Sequence, residues 1–318
     1  MAISVLIPAY NAALRLPETL ASVEALERIP DKVILVDDGS TDETYDIASD
    51  WARRTALDAV AIRQENGGVS AARNAALAAC KTELAAFLDA DDILLPHHLG
   101  TLARPFEADP DLVLAFGDQQ EFTSDGDFPH TFHAGKAFLR LPYEERQGFR
   151  YPTADLFPVL LRGNFISTSA SMVRLSAVRR AGSFDVSLRT SEDREFYLRL
   201  IRCGPAAYCA DVLARKRMHA GSLTETEGDL NVVRNSIALV ARVSAMPERY
   251  GVDPEAAGAC AAVLRNEAEI LFYGCSKMGI RSLADGRDWL RGVTDVDIVP
   301  SLRDWVRSAR FSLSRRRY

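Results

Sequence analysis

Short apolar runs alternate with amphipathic segments in the first third of the chain. The runs that predict β-strands are Ile3–Ile7, Lys32–Val36, Ala59–Arg63 and the segment around Phe87-Leu88, and we expect Pro8 to end the first of them. Between these runs, helical spacing of apolar residues follows Pro17, Thr41 and Ala71. This order predicts an α/β fold with a mainly parallel central sheet and helices on both faces.

The pattern changes twice further along the chain. The segments 112–118 and 164–174 have strand character. Between them, the segment 119–160 is rich in glycine, proline and aromatic residues, which is typical of a lid or binding loop, although most of its aromatic side chains are expected to pack. Helical spacing dominates after residue 228, so we expect one domain over 1–228 and a helical region over 229–318.

Composition and charge exclude several classes of protein. The 318 residues are 47% hydrophobic and 26% charged, as in an ordinary soluble protein, and the net charge of −6 disfavours a nucleic-acid partner. No apolar run reaches the ~18 residues of a membrane span, and the first residues lack the cationic start of a signal peptide. The five cysteines show no Cys-x-x-Cys spacing, so we expect buried free thiols and a cytoplasmic location.

Three carboxylates, Asp89, Asp91 and Asp92, follow a buried strand. The polar loops 8–11 and 37–40 follow the first and second strands in the same way. Because parallel strands end at one edge of a sheet, these loops are expected to meet there, where open α/β sheets bind ligands. Carboxylates at that edge suit Mg²⁺ or Mn²⁺ bridged to substrate phosphates, with a solvated acidic turn as the alternative.

Two side chains in those loops have chemistry that suits a nucleotide. Tyr10 could stack on a base, and Asp38 could accept a hydrogen bond from a base N–H or a ribose hydroxyl. The alternatives are protein packing for Tyr10 and capping of a helix for Asp38.

Four motifs resemble, in order and spacing, the signatures of family 2 glycosyltransferases. They are the segments Val5–Asn11, Val36–Asp42 and Asn66–Asn74 and the Asp-x-Asp motif in Leu88–Asp92. The resemblance covers about residues 3–222 and implies a GT-A fold with a nucleotide-diphosphate sugar as donor, expected to be a UDP-sugar. The donor contacts that it implies, all within residues 1–118, are Pro8, Tyr10, Asn11, Asp38, Asn66, Arg73, Asp89 and Ala90.

Arg73 also has a chemical reason to lie near a diphosphate, since a guanidinium forms bidentate, charge-assisted bonds to phosphate oxygens. A surface charge on a helix is the alternative. The resemblance places the divalent metal, Mn²⁺ or Mg²⁺, at the Asp-x-Asp motif and leaves open which of Asp89, Asp91 and Asp92 binds it directly; we prefer Asp91, with Asp92 as the second choice. The segment Arg217-x-His219 also resembles the family, so His219 could complete the metal site and Arg217 could neutralise phosphate charge, with a structural histidine as the alternative.

The acceptor side is expected in residues 119–228. There a Gly-x-Phe-Asp turn at residues 182–185 precedes Glu192-Asp193, again as in the family, and Asp193 is our candidate catalytic base. Glu192 is placed on the acceptor or diphosphate side, and ordinary charge at a helix N-terminus is the alternative for both acids.

These observations predict a metal-dependent inverting glycosyltransferase of glycan or cell-surface polysaccharide biosynthesis. The Gln-x-x-Arg-Trp motif and membrane spans of the family's processive members are absent from the sequence, so we expect transfer of one sugar to a glycan or lipid-linked acceptor. The alternatives are a sugar nucleotidyltransferase, disfavoured because the residues after the first strand are not a glycine-rich basic loop, and a non-catalytic nucleotide-sugar binding module.

The C-terminal helices could form a homodimer, and the basic tail could contact anionic lipid at the inner face of a membrane, although a solvated end is favoured.

Overall fold

A computed structural model describes residues 1–219, 229–294 and 298–314, and the chain divides into two compact units, Met1–His219 and Ala220–Tyr318. The strands of the first unit are β1 (Ile3–Ala9), β2 (Lys32–Asp37), β3 (Ala59–Arg63), β4 (Leu84–Phe87), β5 (Ile93–Leu94), β6 (Leu114–Thr123), β7 (Gly126–Asp127), β8 (Tyr143–Arg146), β9 (Phe149–Pro152), β10 (Ser171–Arg174) and β11 (Ala206–Arg217). Its helices are α1 (Leu16–Glu24), α2 (Thr44–Arg54), α3 (Val69–Ala79), α4 (His98–Ala108), α5 (Phe157–Arg162), α6 (Leu175–Ala181) and α7 (Glu192–Leu200).

The first unit is built on one twisted sheet with the strand order β3-β2-β1-β4-β10-β6-β11-β9-β8. Strands β1 to β4 are parallel to one another, and β10 runs antiparallel to both of its neighbours, β4 and β6. Strands β6 and β11 are parallel to each other. The predicted α/β fold with a central parallel sheet is therefore confirmed. Because β1, β2 and β4 point the same way, the loops that follow them emerge at one edge.

Pro8 lies within β1, so the prediction that it ends the strand is wrong. It stands in register with Val36 of β2. The ladder between β1 and β4 ends at Leu6 and Phe87, where the Leu88 amide donates to the Leu6 carbonyl at 3.0 Å. Two residues further along β1, Pro8 faces the same side, where the pairing with β4 has ended, so its missing N–H interrupts no pair of that ladder.

The predicted strand over residues 164–174 is only partly present, since β10 begins at Ser171. Residues Thr168–Ala170 form a 3₁₀-helix instead. The polar side chains of this segment bond to nearby backbone: the Asn164 Oδ1 accepts from the Ile166 amide at 3.0 Å, and the Ser171 hydroxyl donates to the Thr168 carbonyl at 2.9 Å. Such local bonds compete with extended pairing.

The segment 119–160 is more ordered than the predicted loop. It contains the end of β6, the short strands β7 to β9, a 3₁₀-helix at Ala137–Arg140 and the start of α5. Phe138, Phe149 and Phe157 are buried in it, as expected for packing aromatics, while Phe128 and Tyr143 are exposed.

The second unit is helical. It contains α8 (Asp229–Ala245), a 3₁₀-helix at Pro247–Tyr250, α9 (Pro254–Ser276), α10 (Ile280–Val293) and α11 (Leu302–Ser314). The predicted boundary at residue 228 adjoins residues 220–228, which lie outside the described ranges. Among the described residues, the helices are all too short or too polar to cross a membrane.

Candidate active site

The loops after β1 and β2 are joined at the sheet edge by Asn11. Its backbone is left-handed, with φ of +46°, its Oδ1 accepts from the Thr41 amide at 2.9 Å, and its own amide donates to the Ser40 hydroxyl at 2.9 Å. Pro8 is buried, and Tyr10 leaves 52% of its surface exposed. An exposed aromatic ring on a rigid loop is available for stacking.

Asp38 holds the turn that begins α3. Its buried carboxylate accepts hydrogen bonds from the Gln64 side chain at 2.7 Å, the Gly67 amide at 3.0 Å and the Gly68 amide at 2.7 Å. The same turn carries Asn66, whose side chain is exposed. Asp38 therefore fixes the position of Asn66 at the edge where Tyr10 emerges.

Arg73 of α3 is buried, so the surface-charge alternative is wrong. Its Nη1 lies 2.7 Å from Glu192 Oε1, its Nη2 lies 2.8 Å from Asp89 Oδ1, and its guanidinium lies 5.3 Å from the centre of the Phe184 ring. Burial acts to lower the pKa of Arg73, but the carboxylates of Asp89 and Glu192 outweigh it and raise that pKa above its ordinary value. Arg73 thus remains charged and connects the end of β4 to the start of α7.

Ser169 is hydrogen-bonded to the loop that carries Asp89, Asp91 and Asp92. Its hydroxyl donates to Asp92 Oδ2 at 2.6 Å and accepts from the Asp89 amide at 3.1 Å. Ala90 is buried between these acids, and its carbonyl accepts from the Thr19 hydroxyl at 3.0 Å. The backbone of the Asp-x-Asp motif is therefore held by side chains from two other segments.

Asp92 is the most enclosed of the three acids. Only 3% of it is exposed, and its second oxygen, Oδ1, accepts from the Arg217 amide at 3.1 Å. Burial, and then the neighbouring charges of Asp89 and Asp91, raise the pKa of Asp92 to about 8. Both oxygens of the Asp92 carboxyl therefore already accept hydrogen bonds from the protein.

Asp91 and His219 come together although they are 128 residues apart in the sequence. His219 Nε2 lies 2.9 Å from Asp91 Oδ2, and the Asp91 side chain is 32% exposed. Arg217 supports this pair, because its Nε donates to the Asp91 carbonyl at 3.2 Å and its guanidinium forms an ion pair with Glu18. In the described part of the chain, no group of three or more His, Cys, Asp or Glu residues could by itself hold a metal ion.

The two acids Glu192 and Asp193 begin α7 after Ser191, whose backbone is left-handed with φ of +58°. Asp193 Oδ2 accepts from the Asn164 Nδ2 at 2.8 Å, and its Oδ1 accepts from the Arg194 amide at 2.6 Å. Burial, and then the charge of Asp193, raise the pKa of Glu192, while Arg73 opposes the shift. A continuous line of contacts thus runs from Asp89 through Arg73 and Glu192 to the candidate base.

Comparisons with known proteins show which family the chain belongs to. The profile described as "Glycosyl transferase family 2" matches residues 4–178, more than half of the chain. This chain belongs to that family of glycosyltransferases. The resemblance of the motifs to the family is thereby confirmed, and so is the prediction of an enzyme.

Two curated relatives illustrate the range of the likeness. An uncharacterized glycosyltransferase of Nostoc is 38% identical over 107 residues, which cover 34% of this chain and only 33% of the relative. The amylovoran biosynthesis glycosyltransferase AmsE of Erwinia amylovora is 28% identical over 240 residues, which cover 74% of this chain and 83% of AmsE.

Among solved structures, S. aureus TarS 1–349 in complex with UDP-GlcNAc matches with a TM-score of 0.67 and 18% identity. The match covers 92% of this chain and 82% of that one. This degree of likeness shows that the glycosyltransferase shares a fold with TarS.

Three residues of this glycosyltransferase site were not predicted from the sequence. Gln64 holds Asp38, Ser169 holds Asp89 and Asp92, and Asn164 holds Asp193. Each is a short or medium polar side chain in a polar stretch, and no spacing relates it to the acid that it binds. A buried carboxylate does demand hydrogen-bond donors, so the sequence indicated that such partners exist without indicating which they are.

Proposed function

We propose that this glycosyltransferase moves a single sugar, with inversion, from a nucleotide-diphosphate donor to a hydroxyl group of a glycan or lipid-linked acceptor during polysaccharide biosynthesis. A UDP-sugar is the expected donor. The observation that carries the proposal is the buried contact of Arg73 with both Asp89 and Glu192, which holds the donor-side acids and the candidate base Asp193 on one connected framework. The name of AmsE and the UDP-GlcNAc bound to TarS support the choice of pathway and donor.

On the donor side, we propose that the nucleobase of the donor binds against the exposed ring of Tyr10 and the turn around Asn66. Asp38 already accepts three hydrogen bonds from its own chain, so its main contribution is to hold that turn in place. A preorganised loop loses less conformational freedom when the nucleotide binds.

The residues at the sheet edge fit a divalent cation. Asp91 and His219 offer one carboxylate and one imidazole, a donor set that suits Mn²⁺, and such cations are commonly held by one or two protein ligands together with substrate phosphates. Asp92 is assigned to supporting the loop, since Ser169 and the Arg217 amide occupy its oxygens. When bound, the cation would neutralise charge that develops on the leaving diphosphate.

On the acceptor side, Asp193 takes the proton of the attacking hydroxyl. Correct placement of the carboxylate against the acceptor hydroxyl supplies much of its effect. The Asn164 amide contributes to that placement by donating to Asp193 Oδ2, while the Arg194 backbone amide donates to Asp193 Oδ1.

The test is a screen of nucleotide-sugars with the full chain, measuring thermal stabilisation and release of UDP with Mn²⁺ present. We expect the Asp193→Asn variant to bind UDP normally and to transfer sugar about 10²-fold more slowly or worse. The matched control is Asp211→Asn, the same change at an exposed residue of β11, which should act as the wild type.

Other outcomes would identify the rival functions. Binding without any turnover in the wild type would indicate a nucleotide-sugar binding module. Formation of a nucleotide-sugar from a nucleoside triphosphate and a sugar phosphate would indicate a nucleotidyltransferase. Wild-type turnover in Asp193→Asn would remove Asp193 from the role of base.

A further inference from the structure

Helix α11 of the second unit presents apolar side chains to solvent. Leu302 is 79% exposed and Val306 is 45% exposed, and because they are four residues apart they lie on one face of the helix. Val299, just before the helix, is 55% exposed. A surface helix normally turns its apolar face inward, whereas the most buried described residue of α11 is the polar Ser308.

Arginine side chains flank this apolar ridge. Arg303 and Arg310 are both exposed and, seven residues apart, lie along the same side of α11. The acidic residue of the helix, Asp304, has a side chain that is only 14% exposed and lies 3.0 Å from Arg307, so its charge is balanced locally. In the sequence, six of the seven charged residues after Ser301 are arginines, although the whole chain has a net charge of −6.

We propose that the side of α11 formed by Leu302, Arg303, Val306 and Arg310 binds the surface of a membrane that contains anionic phospholipid. Apolar side chains beside arginines on one helix are the composition of helices that lie in the membrane interface. The apolar groups enter the boundary between headgroups and acyl chains, and the arginines pair with lipid phosphates.

A second copy of the chain is a less suitable occupant of this face. A stable protein interface buries about 800 Å² on each partner and involves about 20–30 residues a side, far more than this short ridge provides. The proposal is independent of the proposed glycosyl transfer, because the face lies in the second unit and uses no residue assigned to the reaction.

The experiment is co-sedimentation of the full chain with vesicles of phosphatidylcholine, with and without phosphatidylglycerol, at low and high salt. We expect the wild type to sediment with the anionic vesicles alone and to be released by salt. The double variant Arg303→Gln/Arg310→Gln should bind about 25-fold more weakly, roughly fivefold for each arginine. Arg303→Lys/Arg310→Lys should retain most of the binding, because the charge is kept.

Two further variants separate the apolar contribution from general surface effects. Leu302→Ser/Val306→Ser should reduce binding to anionic vesicles by tenfold or more, roughly the loss of two buried apolar side chains. The matched control is Val232→Ser/Arg265→Gln, which alters an exposed apolar residue and an exposed arginine elsewhere in the same unit and should bind as the wild type.

The proposal is overturned if the wild type fails to bind anionic vesicles, or if the ridge variants bind as well as the wild type. It is also overturned if the ridge variants change the sedimentation velocity of the protein alone while vesicle binding is unaffected, because the face would then serve a second copy. Release of UDP from a soluble donor should be the same in all these variants, so failure of the membrane proposal and failure of the catalytic proposal are distinguishable.

Discussion

Arg73 and Glu192 are 119 residues apart in the chain, yet the Arg73 Nη1 and the Glu192 Oε1 are 2.7 Å apart in a buried contact. Arg73 also contacts Asp89, so one guanidinium balances two carboxylates, one in the loop after β4 and one at the start of α7. Removing one partner of such a group leaves uncompensated charge in the interior.

We therefore expect Arg73→Met to lower the free energy of unfolding by about 3–5 kcal/mol in urea denaturation. The control is Arg54→Met, which removes an arginine that pairs with Asp50 on the surface and should cost about 1 kcal/mol or less. The double variant Arg73→Met/Glu192→Met should recover part of the loss, since it also removes one of the unpaired carboxylates. Equal stability of Arg73→Met and the wild type would contradict the burial of this ion pair.

The metal assignment predicts different behaviour for neighbouring acids. In calorimetric titrations, the affinity for UDP is measured once with Mn²⁺ present and once with a chelator present. Asp91→Ala should abolish the difference between these two affinities, and His219→Ala should reduce it. Asp92→Asn should keep most of the difference, because the Asp92 oxygens are used by Ser169 and the Arg217 amide. The opposite pattern, with Asp92→Asn losing the metal dependence and Asp91→Ala keeping it, would move the cation to Asp92.

Asn164 is predicted to act through Asp193, as a positioning residue. Asn164→Ala should lower kcat about tenfold or more and leave the KM for the donor nearly unchanged, because a small displacement of the base affects the reaction more than binding. Adding this change to Asp193→Asn should cause little further loss, since the two residues work as one unit. The control is Asn266→Ala on the exposed side of α9, and an equal loss in that variant would argue against a specific role.

His98, the first residue of α4, makes the stability of the protein depend on pH. Its ring is fully buried, and burial lowers its pKa from 6.5 to about 4. Between these two pH values the imidazole is protonated in the unfolded chain and neutral in the folded chain. The free energy of unfolding therefore falls as the pH drops from 6.5 toward 4, and above pH 6.5 this loss is absent.

Urea denaturation should therefore show the wild type losing about 2–3 kcal/mol more than His98→Leu between about pH 7 and about pH 4.5. Carboxylates also titrate in this range, but they are shared by both proteins and cancel in the comparison. His130→Leu, which changes an exposed histidine, should follow the wild type. Parallel curves for the wild type and His98→Leu would show that His98 is not responsible.

The sequence by itself determined the strands and helices of the first third of the chain and the family to which they belong. Apolar periodicity, helix-starting residues and glycine turns act over a few neighbouring residues, so they can be read without the fold. The order of those elements also determined that the loops after β1, β2 and β4 would meet at one edge, because parallel strands leave no other arrangement.

Only the tertiary structure shows which partner each of the three acids contacts. Asp89 is bound to Arg73, Asp91 is paired with His219, and Asp92 is enclosed by Ser169. These contacts join residues 16, 128 and 77 positions apart, and the two longest link separate segments that only folding brings within hydrogen-bond distance. The three carboxylates look alike in the sequence, and they differ in the protein because burial and hydrogen-bond partners are properties of the packed interior.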